Sequence, residues 1–73
     1  MYLVIELQTI NDESVANIVT AYTDKNVAES KYHDILRAAA VSALPWHSAV
    51  IIDEQGRTVK GPEAYKHGVA QNE

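Results

Sequence analysis

The stretch DKNVAESKYHDILRAAAVSALP (residues 24–45) decides the fold. Its apolar residues Ala28, Tyr32, Ile35, Leu36, Ala39 and Ala43 recur at the spacing of one stripe on a helix of 3.6-residue period. Asp24 or Asn26 can cap the N-terminus, and Asn26 with Glu29 has capping-box spacing. Glu29, His33 and Arg37 form a separate polar line. Pro45 disfavours helical geometry at Leu44, so the pattern predicts a helix over Asp24–Leu44. One stripe means one buried face, and the flanking sequence must supply the surface beneath it.

Both flanks read as β-strands. Tyr2–Thr9 alternates, with Leu3, Ile5 and Leu7 on one side and Tyr2, Val4, Glu6 and Gln8 on the other. The polar residues Asn11–Ser14 suit a hairpin loop of three to five residues. In Val15–Tyr22, Ala16, Ile18, Thr20 and Tyr22 share one face, while Val15, Asn17, Val19 and Ala21 share the other. The pattern does not choose an inward face for this strand. Trp46–Ile52 predicts a third strand, Asp53–Gly56 a turn, and Arg57–Lys60 a short polar edge strand closed by Gly61–Pro62. Glu63–His67 reads as a further extended segment or turn. The expected architecture is α+β, ββαββ, a four-stranded and mainly antiparallel sheet with one helix on one face. Residues 1–67 form the single domain, and 68–73 a flexible C-terminal tail.

Length and composition narrow the function classes. A 73-residue chain buries only roughly 60% of its unfolded surface, and with no Cys it has no disulfide staple. Lack of Cys also excludes thiolate zinc sites, CxxC redox motifs and a cysteine nucleophile. A formal charge of −4, with six scattered Lys and Arg, disfavours nucleic acid as partner. MYLVIELQ at the N-terminus lacks the basic start of a signal peptide, and no apolar run has membrane-spanning length. The expectation is a cytoplasmic protein.

No catalytic constellation is present. Ser30, Ser42 and Ser48 lack a Gly-framed elbow, and Gly56, Gly61 and Gly68 form no phosphate-cradling loop. A non-enzymatic protein without a cofactor is expected. His33, His47 and His67 match no metal-ligand template. Glu29 with His33 could offer two ligands on one helical face, and His47 or His67 a third through the fold. That makes a metal- or small-molecule-binding protein the alternative reading, with a site that subunits could share. The Ala38–Ala43 run suits close approach of the helix to its own sheet, or of another backbone. Trp46 can cap the core at the helix–strand corner or serve as a binding anchor.

A sheet covered by one helix leaves a second face. Depending on which side turns inward, that face would show Tyr2, Val4, Val15, Val19, Ala49 and Ile51, or a similar apolar set. A contiguous apolar patch of that kind marks an interface. The sequence thus predicts a small protein-interaction module that pairs with itself, as a homodimer or larger assembly, or with another protein.

The stretch from Ala28 to His33, followed by Ile35-Leu36, Ala38–Ser42, Pro45, His47 and Ala49-Val50, resembles a group of short proteins from phages and prophages of Firmicutes. The opening Tyr2–Glu6 and the segment Glu63–His67 fit the same pattern. The resemblance implies an accessory role near head and tail genes, without an assigned family activity. It singles out Tyr32, His33, His47, Tyr65 and His67.

Overall fold

A computed structural model describes residues 1–11 and 14–66. Element order is β1 (Tyr2–Asn11), β2 (Ser14–Tyr22), α1 (Lys25–Ala40), β3 (Trp46–Asp53) and β4 (Thr58–Lys66). The strands make one antiparallel sheet in the order β2-β1-β3-β4, with α1 packed against it. The expected α+β, ββαββ architecture is the observed one. Residue 67 and the 68–73 tail lie outside the described residues, as does residue 12–13 of the hairpin connection.

Register sorts the side chains into two faces, because directly paired residues point the same way. On the helix side lie the rows Tyr22–Tyr2–Asp53, Thr20–Val4–Ile51–Lys60, Ile18–Glu6–Ala49–Glu63 and Ala16–Gln8–His47–Tyr65. The core is Val4, Ala49 and Ile51 from the sheet against Ala28, Tyr32, Ile35 and Leu36 from the helix, with Tyr2, Tyr22 and Val59 beside them. The predicted helical stripe is the buried one as far as Ala39.

Three local expectations need correction. The helix ends at Ala40, short of Leu44. Its last turn tightens, with Val41 N–H donating to Ala38 C=O and Ser42 N–H to Ala39 C=O. Ser42 Oγ then accepts the Leu44 N–H at 3.0 Å, which holds the chain out of helical geometry before Pro45 is reached. Ala43, assigned to the stripe, is therefore exposed beyond the helix. The first hairpin runs longer than expected, with Asn11 opposite Ser14 and a bulge between Thr9 and Asn11 that absorbs Ile10.

The largest difference is β4, which passes through Gly61–Pro62 instead of stopping there. The Gly61–Pro62 peptide is cis, Gly61 has φ +85°, and the register against β3 shifts between Ala49 and Ile52. β4 is an edge strand, so Pro62 breaks no ladder on its outer side. Gly61 is also a close-approach position. A Cβ there would meet Tyr32 Oη at 2.8 Å and the Ala49 carbonyl at 3.1 Å. Gly56 shares the φ of +85° but has open space around it. Gly61→Ala should therefore cost more than Gly56→Ala, about 2–4 kcal/mol against about 1 kcal/mol, read from urea unfolding midpoints. Equal costs would show that the contact with Tyr32 is not what selects glycine.

Candidate interaction surface

The helix lies mainly over β3, is flanked by β1 and β4, and reaches β2 least. The opposite face of the sheet is uncovered among the described residues. Its rows are Ala21–Leu3–Ile52–Thr58, Val19–Ile5 with Val50, Asn17–Leu7–Ser48–Ala64 and Val15–Thr9–Trp46–Lys66. Val15, Val19 and Trp46 are 56%, 53% and 40% exposed, although each is a large apolar side chain. No carboxylate occurs in these rows. The one cation among them, Lys66, has its Nζ 5.1 Å from the centre of the Trp46 ring.

This geometry divides the predicted interface set. Val15 and Val19 stand on the open face. Val4, Ala49 and Ile51 are 1%, 1% and 0% exposed beneath the helix, and Tyr2 packs beside them. Those four residues belong to the covered side, and the apolar set available for contact is Leu3, Ile5, Leu7, Val50 and Ile52 with Val15 and Val19. Trp46 stands on the open side of the sheet, and does not cap the core.

The histidines do not converge. His33 is exposed on the helix, its ring edge-on to Tyr32 with centroids 5.5 Å apart, while Glu29 is half-buried on the preceding turn. His47 is buried, and its Nε2 lies 2.7 Å from Glu6 Oε2. Gln8 Nε2 donates to the same Glu6 oxygen at 2.9 Å. His67 lies outside the described residues. Among the described residues no group of three His, Asp or Glu is placed to hold a metal ion. Glu6 was not singled out in the sequence. The available signal was a carboxylate on the same strand face as Val4, where an apolar residue would be expected.

Tyr32, singled out by resemblance, is a core residue with 0% exposure. Desolvation, with the Glu63 carboxylate second, pushes its pKa up to about 12, so the phenol stays protonated at physiological pH. Its hydroxyl makes no hydrogen bond of normal geometry, and His47 Nδ1 is likewise buried without one. If Nε2 carries the ring proton toward Glu6, Nδ1 is left as a bare acceptor. Tyr65 is exposed opposite His47 on β4.

A shallow recess of about 300 Å³ opens at the turn end, lined by Met1, Tyr2, Asp53, Glu54, Gln55 and Arg57. Its charged groups serve one another. The Met1 α-amino group lies 2.8 Å from Glu54 Oε1, and Arg57 Nε donates to Asp53 Oδ2 at 2.9 Å. Asp53 also accepts the Gln55 and Arg57 backbone N–H groups. The Arg57 N–H, opposed by desolvation and aided by Gln55 and the guanidinium, holds the Asp53 carboxyl below its usual range. The recess is a closed turn more than a ligand site.

No protein-family model matches the chain, and no curated protein or solved structure matches it significantly.

Two stability predictions follow from these contacts. His47→Ala strands the Glu6 carboxylate under the helix and should cost about 3–5 kcal/mol, whereas Glu6→Leu with His47→Leu should recover most of that loss. A urea-unfolding cycle checks it, and a double variant no better than His47→Ala would refute the pairing. Asp53 has a lowered native pKa, so its contribution is complete above the ordinary carboxylate pKa and disappears as pH falls through the native value. The stability gap between wild type and Asp53→Asn should close below about pH 4 in a pH series of unfolding curves.

Proposed function

We propose that the chain is a non-enzymatic interaction module that assembles with itself through the open face of its sheet. The observation that carries this reading is the uncovered apolar surface around Ile5 and Val50, free of carboxylates in a chain holding ten Asp and Glu. Packed strands lie about 4.8 Å apart and rise about 3.3 Å per residue. Four strands and eight residues thus span about 19 by 26 Å, or roughly 500 Å² in projection. Two such faces bury roughly 1,000 Å² together, the lower bound for a specific interface. A second copy suits the surface because a face without carboxylates, whose single cation Lys66 lies at its edge over Trp46, meets its own image with its apolar centre free of charge. Aligned packing of two sheets about 10 Å apart gives the geometry.

The resemblance to short phage and prophage proteins supports an accessory role in such a setting, acting in the cytoplasm. Among the described residues, no helix is long and apolar enough to cross a membrane. The separation of His33 from His47 gives the metal-binding alternative no observation in its favour.

Val50→Asp and Ile52→Asp place carboxylates at the centre of the open face without touching the buried core. Native mass spectrometry of the untagged protein should show an oligomer for wild type and a smaller species for both variants. Far-UV circular dichroism should remain unchanged. Folded variants with the wild-type mass would exclude the open face as the contact.

A further inference from the structure

The two edges of the sheet differ in how they are guarded. β4, at one edge, carries Lys60, Glu63 and Lys66, and its bulge at Gly61–Pro62 interrupts regular pairing. Those are the devices that keep an edge from accepting another strand. β2, at the other edge, is nine residues long and reads SVANIVTAY, with no charge, no proline and no glycine. β2 therefore offers a long, unprotected hydrogen-bonding edge.

Ile18 adds an independent observation. It lies on the helix side of the sheet, beyond the reach of α1, and is 50% exposed. Packing of the open faces cannot cover it, because it points the other way.

We infer that β2 pairs antiparallel with β2 of a second copy, about a two-fold axis perpendicular to the sheet at Ile18. Only that centre brings all nine residues into register, because Ser14 then faces Tyr22 and Ile18 faces itself. Residues on one face stay on that face across the axis, so the two helices lie on the same side. Ile18 packs on its symmetry mate there, and on the open side Val15 meets Ala21 while Asn17 meets Val19. No like charges meet along the seam. The product is an eight-stranded sheet whose two open faces join into one surface.

This contact does not require the face-to-face packing proposed above, whose two-fold lies parallel to the sheet, and with the two axes crossing at the seam the two contacts together close a tetramer with dihedral symmetry. Each can be removed alone. Native mass spectrometry should give four copies for wild type, two for Val50→Asp, two for Ile18→Lys and one for the double variant. In the Val50→Asp background, Ile18→Lys and Ile18→Glu should each be monomeric, and mixing them should restore a mixed dimer through opposite charges across the two-fold. Monomeric Val50→Asp, or a mixture that stays monomeric while circular dichroism shows folded chains, overturns the edge pairing. A wild-type dimer that Ile18→Lys dissociates and Val50→Asp leaves intact supports the edge and removes the face. The opposite pattern keeps the face and overturns the edge.

Discussion

One helix cannot cover two faces of a sheet, and the rest of this structure follows from that constraint. α1 is 16 residues long, about 24 Å at 1.5 Å per residue, and about 10 Å across with its side chains. It can shield the middle of one face and no more. Val4, Ala49 and Ile51 form the floor beneath Tyr32, Ile35 and Leu36, and the small Ala49 allows the Tyr32 ring to lie close to the sheet. The same ring extends toward β4, where a side chain at position 61 would collide with its hydroxyl. The bulge in β4 is thus part of the core's geometry, although it sits on an edge.

The covered face is not uniformly apolar. Rows near the N-terminal end of α1 hold Tyr2, Val4 and Ile51, while those nearer its C-terminal end hold Glu6, Gln8 and His47. Burial at that end is made tolerable by pairing, since the Glu6 carboxylate accepts from Gln8 and lies against the His47 ring. A buried pair of this kind contributes little net stability compared with apolar side chains, yet loss of one member is costly. It also ties β1 to β3 in register, because Glu6 on β1 must keep His47 on β3 as its partner.

The sequence made the element order and the face of nearly every residue legible. Alternation in Tyr2–Thr9, Val15–Tyr22 and Trp46–Ile52 assigns the same side-chain partition that the register shows. It could not say which partition the helix would cover. β1 has more apolar bulk in Leu3, Ile5 and Leu7 than in Val4, and by hydrophobicity alone the former set would be chosen for burial. The choice depends on strand order. β2 and β3 run parallel with β1 between them, and α1 is the crossover that joins them. Such crossovers strongly prefer a right-handed path, which selects one face once the order is set. The Glu6–His47 pair was hidden for a similar reason, being 41 residues apart and joined only by the pairing of β1 with β3. The course of β4 escaped because Gly61–Pro62 is ordinary turn chemistry, and only the proximity of Tyr32 gives it another use.

Where the charges lie bears on which contacts can form. Among the described residues, the carboxylates are Asp24 at the N-cap of α1, Glu29 and Asp34 on the helix, Asp53 and Glu54 at the turn, and Glu6 and Glu63 on the helix side of the sheet. A second copy approaching from the helix side meets charges of both signs, since α1 carries Lys25, Lys31 and Arg37 beside Glu29 and Asp34. Approach from the open face, or along β2, meets no carboxylate. A chain of net −4 carries a general repulsion between copies, and these two contacts bring no pair of carboxylates together to add to it. Both contacts join a surface to its own image, and contacts of that kind close after one step each. A guarded β4 edge matters for the same reason. Without Pro62, Lys60 and Lys66, β4 could accept the β2 edge of another copy, and head-to-tail addition of sheets would have no end point.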